Sequence, residues 1–375
     1  MKSRSLVVSA VNFSEGGPLT VLIDSLETAV ATLKPDWQIT ALVHDEKLVA
    51  DINVKAIAFP ESKIGWLKRI KLEWIKFHDL FDRKPIDLWL SLHDITPRVI
   101  ARRQAVYCHN PSPFYKSRLS ETFYDPKFFI FNKLYMFVYR SFAKRNYAII
   151  VQSDWMREEF RKAIGHENII VARPTLHKKS PSEVIFSPRQ HYLRCPTPQT
   201  PIRFLYPALP RVFKNIEVIC EAVKKLSPDA RNLVDIRLTF DGTENRWAAA
   251  LARRYRNEPG ISLIGRQNRT QMTGEYQACD VVLFPSRLET WGLPITEAKE
   301  FDKPLLLADR PYAHETVGEY DNLEFIGVND VGAWADAIER IVRGTWRPSA
   351  SQAFDPLQPY AADWPALWRL LTEGL

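Results

Sequence analysis

Two glutamates frame a glycine and a proline in the stretch 284-FPSRLETWGLPITEAKEFDKP-304. Glu289 and Glu297 stand eight positions apart, with Trp-Gly-Leu-Pro between them. Glycine weakens a helix and proline interrupts one, but proline is favoured at the first helical position. The pattern therefore predicts a helix that starts at Pro294, with Glu297 in its first turn and Glu289 in the loop before it.

The start of such a helix presents free backbone N–H groups, which form an anion site. Ionised carboxylates only accept hydrogen bonds, so Glu289 and Glu297 suit sugar hydroxyls rather than the anion. The combination fits a nucleoside diphosphate sugar, with amides for the pyrophosphate and one carboxylate for each flanking sugar. From these two residues alone an alternative stays open, in which Glu297 complements the helix dipole and Glu289 is a solvated loop residue.

The composition is that of a soluble globular protein with room for two domains, since 46% of the 375 residues are hydrophobic and 25% are charged. There is no run of 18 apolar residues, and the start, MKSRSLVVSAVNF, leads into a strand pattern without a cleavage site. We therefore expect a cytoplasmic protein. Four widely spaced cysteines match no zinc or Cys-x-x-Cys pattern and are predicted to be reduced structural thiols. They are Cys108, Cys195, Cys220 and Cys279.

The net charge of +7 is concentrated in one region. Residues 61–145 contain 17 Lys/Arg and 8 Asp/Glu, so the rest of the chain sums to −2. Within it, 63–77 and 127–140 interleave lysines with Trp and Phe, a pattern that suits an anionic membrane surface. The alternative is packing in the core, which we favour for 128–138 and leave open for 63–77. The chain has no nucleic-acid recognition motif, so we expect no nucleic-acid partner.

Short apolar runs alternate with helical patterns, which predicts parallel sheets covered on both faces and an α/β fold of two Rossmann-like, doubly wound domains. The predicted strands are 6–11, 39–44, 54–59, 88–92, 104–108, 148–152, 202–206, 234–240, 261–264, 280–284, 304–308 and 323–326. The predicted helices are 19–33, 154–163, 215–226, 245–256 and 334–343.

The alternation stops in a proline-rich stretch and then restarts. We therefore expect an N-terminal domain over 1–176, a linker or surface excursion over 177–200 and a C-terminal domain over 201–348. A segment over 349–375 is expected to be helical and to pack back toward the N-terminal domain. Doubly wound domains bind ligands at the carboxyl ends of their strands, so we expect the ligand site between the two domains.

The glutamate motif and four further stretches closely resemble retaining GT-B glycosyltransferases of family GT4. The motif is Pro-Ser-x-x-Glu-x-Trp-Gly-Leu-Pro-x-x-Glu-Ala, followed by Lys303-Pro304 and Glu315-Thr316-Val317-Gly318. The other stretches are Gly16-Gly17, 151-VQSDWM-156, 206-YPALPRVFKN-215 and 263-LIG-265, and they follow the family's order over most of the chain. The resemblance implies the GT-B fold, with an acceptor-binding N-terminal domain and a nucleotide-sugar-binding C-terminal domain.

The resemblance also implies roles for individual residues. Glu297 would hold the ribose of the donor, Glu289 would sit by the transferred sugar, and Lys214 would neutralise the pyrophosphate. The family's companion arginine lies five residues before that lysine, where this chain has Leu209, so Arg211 is the nearest candidate for the missing charge. The remaining donor-binding positions implied are Trp291, Gly292, Leu293, Gly16, Gly17, Ile264 and Gly265.

In the N-terminal domain the family carries a histidine near the transferred sugar, a role that falls to His109. His93 and Asp94 follow the preceding strand and are predicted on the acceptor side, with a satisfied loop pair as the alternative. The sequence holds no Asp-x-Asp, the carboxylate pair that usually holds a divalent metal on the diphosphate, so we expect neither metal nor cofactor. A retaining front-face mechanism, in which the leaving phosphate takes the acceptor's proton, needs no separate base.

We therefore predict an enzyme, a glycosyltransferase of class EC 2.4, that moves a sugar to a glycan or lipid-linked acceptor in bacterial cell-surface polysaccharide assembly. It would be cytoplasmic or peripheral on the inner face of the plasma membrane. Two alternatives remain open: a sugar-nucleotide-binding GT-B protein without turnover, and a GT-B nucleotide-sugar epimerase.

Overall fold

The structure is a computed structural model that describes residues 3–82, 86–173 and 194–375. The predicted linker at 177–200 therefore lies mostly outside the described residues. Two compact units make up the rest. The first unit comprises described residues within Met1–Phe114, Asn132–Lys179 and Pro356–Leu375, and the second unit those within Tyr115–Phe131 and Ser180–Asp355.

Fifteen strands are present in the described residues. They are β1 (Arg4–Ser9), β2 (Trp37–Val43), β3 (Lys55–Ala58), β4 (Ile86–Ser91), β5 (Ala101–Tyr107), β6 (Ala148–Val151), β7 (Ile169–Ala172), β8 (Ile202–Tyr206), β9 (Val234–Leu238), β10 (Ile261–Leu263), β11 (Val281–Phe284), β12 (Leu305–Ala308), β13 (Tyr320–Ile326), β14 (Ser349–Ser351) and β15 (Tyr360–Ala361).

Fourteen α-helices are present in the same part of the chain, and a π-helical turn over Leu72–Lys76 joins the second to the third. The helices are α1 (Gly16–Leu33), α2 (Trp66–Lys71), α3 (Phe77–Phe81), α4 (Leu119–Tyr124), α5 (Pro126–Arg140), α6 (Asp154–Ile164), α7 (Ile216–Lys225), α8 (Pro228–Arg231), α9 (Arg246–Tyr255), α10 (Arg269–Ala278), α11 (Leu293–Glu300), α12 (Pro311–Val317), α13 (Val331–Val342) and α14 (Trp364–Thr372). None of these helices has the length and apolar character that a membrane span requires.

The first unit is built on one parallel sheet in the order β15-β7-β6-β5-β4-β1-β2-β3. Its central strands are buried on both faces, as their continuous apolar runs predict. The chain builds one half of the sheet outward from β1 and then the other half outward from β4. The topological switch point of this sheet therefore lies at the adjacent carboxyl ends of β1 and β4.

The C-terminal segment completes the first unit. Strand β15 pairs in parallel with β7, and α14 contributes Leu367, Trp368 and Leu371 to the core that α1 also lines. The indole N–H of Trp368 donates to Thr28 Oγ1 on α1 at 3.3 Å. An edge strand and an amphipathic helix thus attach the chain's end to the first sheet.

The second unit is built on a sheet in the order β10-β9-β8-β11-β12-β13-β14, which is parallel except for the last strand. Strands β8 and β11 are adjacent and start the two halves of the sheet, so their carboxyl ends form its switch point. Both sheets therefore confirm the predicted α/β, doubly wound class. The predicted strands and helices each overlap an observed one, with ends that agree within three residues. Strands β7, β14 and β15 were not predicted.

Helix α5 shows the core packing expected for 128–138 on one face only. Tyr135, Val138 and Tyr139 are buried, whereas Leu134 and Phe137 are exposed. The stretch 63–77 is divided in the same way, with buried and exposed apolar residues on opposite sides. Buried there are Leu72 and Phe77, and exposed are Ile64, Leu67 and Ile75.

Candidate active site

The loop between β11 and α11 depends on Gly292. Its φ of +86° is a conformation that residues with a side chain rarely adopt, and a Cβ there would lie 3.3 Å from Ile295 Cδ1. Helix α11 begins at Leu293, one residue earlier than predicted. The sequence predicts Glu297 in the first turn of this helix, but the structure places it one position beyond that turn. No side chain caps the start of the helix.

Trp291 is fixed immediately before this helix start. Its indole N–H donates to Thr296 Oγ1 at 3.2 Å, and its carbonyl accepts a hydrogen bond from the hydroxyl of Thr316. The backbone at 291–293 is thus held in one orientation, and no side chain caps the N-terminal start of α11. This is the arrangement that an anion at a helix start requires.

Lys214 and Glu289 form an ion pair at the switch point of the second sheet. Lys214 ends the loop after β8, Glu289 lies in the loop after β11, and Nζ donates to Oε1 at 2.5 Å. Their side chains retain 16% and 14% exposure, so the pair is half-buried. The ammonium also lies 5.7 Å from the ring centroids of Phe213 and Phe284, within range of cation–π attraction.

Arg287 joins the loops after β8 and β11. The side chain is buried and donates to the carbonyl of Val212 at 3.2 Å and to Glu217 Oε1 at 2.9 Å. Its backbone N–H donates to the carbonyl of Phe213 at 2.8 Å. Arg287 therefore fixes the loop that carries Lys214. Sequence reasoning passed over it, because it occupies a variable position of the motif.

Glu297 is half-buried on the second turn of α11. Burial raises the pKa of its carboxyl above the ordinary value, although the hydrogen bond from the hydroxyl of Tyr276, at 2.8 Å, opposes that shift. Tyr276 itself stacks on Phe301 with a ring separation of 5.4 Å. No sequence pattern points to Tyr276, which lies 21 positions from the glutamate on a different helix.

Arg211 lies on the same loop as Lys214 and is paired as well. Its guanidinium lies 3.3 Å from Asp125 Oδ2, and 54% of its side chain is exposed. Leu209, which stands at the family's arginine position, is also exposed. Lys214 and Arg211, the two cations predicted to neutralise a diphosphate, thus each form an ion pair with a carboxylate in the structure.

Ile264 and Gly265 follow β10 at the same edge of the sheet, because β8 to β11 are all parallel. Gly265 adopts φ +71°, and its N–H donates to the carbonyl of Phe240 at 3.2 Å. The amide of Gln267 donates to the carbonyl of Ile264 at 2.6 Å. The backbone at 264–265 is therefore fixed by hydrogen bonds at the ligand-binding edge.

In the first unit, Gly16 and Gly17 begin α1 after β1, and both are exposed. Gly16 adopts φ +66°, and a Cβ at either position would meet nothing within 4 Å. The glycines thus leave open space at the start of a helix of 18 residues that no side chain caps.

His109 follows β5, and its ring is oriented by two neighbours. Nδ1 accepts from Gln152 Nε2 at 3.2 Å, and the ring lies 4.2 Å from that of Tyr107. Burial lowers the pKa of His109, although the charge of Asp94 opposes this. The neutral imidazole therefore carries its proton on Nε2, a buried atom that has no hydrogen-bond partner among the described residues.

Asp94 shapes the backbone at His109. Its Oδ1 accepts from the N–H groups of His109, at 2.6 Å, and Asn110, at 3.1 Å, and from the hydroxyl of Tyr139 at 2.9 Å. Its Oδ2 accepts from the hydroxyl of Tyr135 at 3.0 Å. Asp94 thus holds the loop after β5 against helix α5.

His93, by contrast, is completely buried at the switch point of the first sheet. Arg69 donates to its Nδ1 at 2.9 Å, its Nε2 lies 3.0 Å from Ser9 Oγ, and Arg69 also pairs with Glu73 at 2.9 Å. Burial lowers the pKa of His93 well below its usual value and raises the pKa of Glu73 to about 7. The imidazole has no surface at which to meet an acceptor.

The four cysteines are free thiols, and all except Cys195 are buried.

Comparison with known proteins identifies the domain that carries this geometry. Residues 197–353 match the family described as Glycosyl transferases group 1. A D-inositol 3-phosphate glycosyltransferase of Mycobacterium leprae is 29% identical over 90 residues, which are 24% of this chain and 21% of that relative. The chain therefore matches only a minor part of the length of its curated relatives.

Solved structures resemble almost the whole chain. HepE of Anabaena, in complex with UDP-glucose, has a TM-score of 0.58 at 15% identity, and the match covers 98% of this chain and 95% of HepE. WaaG, a glycosyltransferase involved in lipopolysaccharide biosynthesis, has a TM-score of 0.61 at 13% identity, and the match covers 98% of this chain and 100% of WaaG. Sucrose-phosphate synthase of Thermosynechococcus elongatus has a TM-score of 0.60 at 13% identity, and the match covers 91% of this chain and 90% of the synthase. These likenesses confirm the GT-B fold.

Proposed function

We propose that this protein, whose residues 197–353 match the group 1 glycosyltransferases and whose fold is GT-B, transfers a sugar from a nucleoside diphosphate sugar to an acceptor hydroxyl. The observation that carries the proposal is the Lys214–Glu289 pair beside the uncapped start of α11 at the switch point of the second sheet. A cation, helix-end amides and a carboxylate are there brought together at the edge where such sheets bind ligands.

In this proposal the donor diphosphate binds at the backbone of 291–293 and takes the charge of Lys214 and Arg211. Glu289 is then released from Lys214 and accepts hydroxyls of the transferred sugar, while Glu297 accepts the ribose hydroxyls. Tyr276 supports this role, because it orients one carboxylate oxygen of Glu297. Similarity to a protein solved with UDP-glucose makes a nucleotide sugar the first class of donor to test.

The transfer proposed is retaining and independent of metal. The acceptor oxygen bonds to C1 of the sugar, the bond from C1 to the diphosphate oxygen breaks, and the acceptor's proton passes to that leaving oxygen on the same face. The enzyme contributes position and charge stabilisation. Metal independence rests on the absence of Asp-x-Asp from the sequence and on the two cations of the β8 loop. Activity should then be unchanged by excess EDTA.

His109 is proposed to donate from Nε2 to a hydroxyl of the transferred sugar. Its neutral state and the orientation of its ring by Gln152 support this role, since the proton is left on the nitrogen that has no partner among the described residues. The backbone at His109 is positioned in turn by Asp94.

An acceptor on a lipid carrier is proposed from the exposed apolar residues of the basic region. Leu134 and Phe137 on α5 are 52% and 65% exposed, with Lys133 and Arg140 also exposed on the same helix. Such a surface suits an anionic bilayer, and WaaG supports a role in cell-surface glycan assembly. The protein would then work at the inner face of the plasma membrane.

The test is a transfer assay in which release of the nucleoside diphosphate and the anomeric configuration of the product are measured. We expect release to depend on acceptor and to be lost in Glu289→Gln. Nucleotide-sugar binding without turnover by any acceptor would favour the non-catalytic alternative. An epimerised nucleotide sugar, formed without acceptor and without net release of free nucleotide, would favour the epimerase.

Membrane binding is tested separately by flotation with vesicles. The protein should float with vesicles rich in phosphatidylglycerol and not with pure phosphatidylcholine, and Leu134→Ser/Phe137→Ser should reduce flotation. Leu357→Ser, at another exposed leucine, is the matched control. Equal flotation of all three proteins would contradict this role of α5.

A further inference from the structure

Residues 115–131 precede β6 in the chain but belong to the second unit. The rings of Tyr115 and Phe128 lie 6.1 and 5.5 Å from that of Phe213, which is next to Lys214 on the β8 loop. The ring of Tyr124 lies 4.7 Å from Trp247 on α9. Three aromatic contacts thus attach this segment to the unit that carries the proposed donor site.

A buried ion pair strengthens the attachment. Arg287 donates to Glu121 Oε1 at 3.3 Å, with side-chain exposures of 6% and 8%. The hydroxyl of Tyr115 also donates to Glu121 at 3.0 Å. Because Arg287 simultaneously holds the carbonyl of Val212, one guanidinium fixes both segment 115–131 and the β8 loop.

Asp125 lies in this anchored segment and uses its two oxygens differently. Oδ1 accepts from the N–H of Phe128 at 3.0 Å, which caps the start of α5. Oδ2 takes Arg211 at 3.3 Å. The capping hydrogen bond at Oδ1 does not depend on the contact between Oδ2 and Arg211. The contact with Arg211 can therefore be broken without uncapping the helix.

We propose that Asp125 acts as an internal anion that occupies Arg211 until a nucleoside diphosphate displaces it. This inference rests on the proposed function and adds a residue that controls donor affinity. The pair is exposed enough to be weak, so a diphosphate with more negative charge can outcompete the carboxylate. Anchoring by Glu121 and the aromatic rings holds Asp125 in place, which allows it to take Arg211 back when the diphosphate leaves.

The pairing also accounts for the position of the arginine. With Leu209 where the family has its arginine, the second cation of this loop stands two residues later, within reach of Asp125. Arg211 is thus assigned as a diphosphate ligand and Asp125 as its competitor.

The experiment is calorimetric titration of the full-length protein with UDP, GDP, ADP and dTDP. Asp125→Asn keeps the capping oxygen and removes the charge. We expect it to bind the preferred diphosphate roughly three- to fivefold more tightly, the effect of one weak ion pair. Arg211→Ala should bind more weakly than the wild type, and Asp125→Asn/Arg211→Ala should match Arg211→Ala. Asp336→Asn, which removes a carboxylate paired with Arg340 on α13, should leave the affinity unchanged.

The outcomes are distinct. If the wild type binds none of the four diphosphates, the proposed function fails and this inference with it. If the wild type binds one but Asp125→Asn binds it equally or more weakly, the inference alone fails. Tighter binding that persists in the Arg211→Ala background would show a general effect of charge and would also overturn the inference. Thermal unfolding of each variant checks that it is folded.

Discussion

The two sheets have the same kind of switch point but place different chemistry there. In the second unit, Lys214 and Glu289 meet at the ends of β8 and β11 and remain partly exposed. In the first unit, Arg69, Glu73 and His93 meet beside the ends of β1 and β4 and are buried. Residues suited to acid–base or anion chemistry are present in both places.

The difference lies in access to a ligand. A buried ion pair must be satisfied internally, and it contributes to the fold rather than to binding. A half-buried pair can exchange one partner for a substrate at modest cost. The buried cluster should therefore respond to mutation through stability, and the Lys214–Glu289 pair through binding and turnover.

The largest effect is expected at the buried cluster. At pH 8, where Glu73 is mostly ionised, Arg69→Met leaves the carboxylate of Glu73 and the ring of His93 without their cation, which should lower the free energy of unfolding by roughly 3–5 kcal/mol. Urea unfolding measures it. Affinity for nucleoside diphosphates in the folded protein should be unchanged, and a stable variant with lost affinity would reverse the assignment of the two regions.

Lys214→Met should act in the opposite way. Removal of a cation that stabilises the leaving diphosphate should reduce the transfer rate about 100- to 1,000-fold. Because the pair is partly exposed, the urea midpoint should move little. Lys225→Met, at the exposed end of α7, is the control that should keep full activity. A variant at 214 that retains wild-type turnover would remove the lysine from the mechanism.

Glu73 predicts a pH dependence of stability. Its pKa is raised to about 7 in the folded protein, so the unfolded chain ionises first. The stability contributed by this carboxyl is therefore highest below the pKa of Glu73 in the unfolded chain, near 4.5, and is lost as the pH rises toward 7. Between pH 5 and pH 7 the loss should be roughly 2 kcal/mol relative to Glu73→Gln, which has no such proton. Parallel stability curves for the two proteins would show that the carboxyl is not perturbed.

The smallest effect is expected for donor binding through Glu297. Burial raises the pKa of this carboxyl, so it should lose its charge at a higher pH than an ordinary glutamate. Affinity for the nucleoside diphosphate should fall as pH is lowered from neutral, because a protonated carboxyl accepts ribose hydroxyls less well. The affinity of Glu297→Gln should not show this fall with pH. Identical pH profiles of affinity for both proteins would show that Glu297 does not bind the ribose.

The residues near the second switch point could be placed from the sequence more directly than those near the first, for a physical reason. Lys214 lies on the loop after β8, Glu289 on the loop after β11 and Glu297 on the helix that follows that loop, so their places near the sheet edge are local consequences of chain order. His93 also follows a strand, but Arg69 and Glu73 cover it from helices that the sequence does not position. The attachment of 115–131 was invisible for the same reason, since Glu121 and Arg287 are 166 residues apart.

The central claim is that Lys214 and its neighbours bind a nucleoside diphosphate. The most direct measurement is thermal unfolding of the wild type and Lys214→Met with saturating UDP, GDP, ADP or dTDP. At least one nucleotide should stabilise the wild type by a few kcal/mol, about 3 at 100 times its Kd, and stabilise Lys214→Met far less. No stabilisation by any of the four, or equal stabilisation of both proteins, would contradict the account.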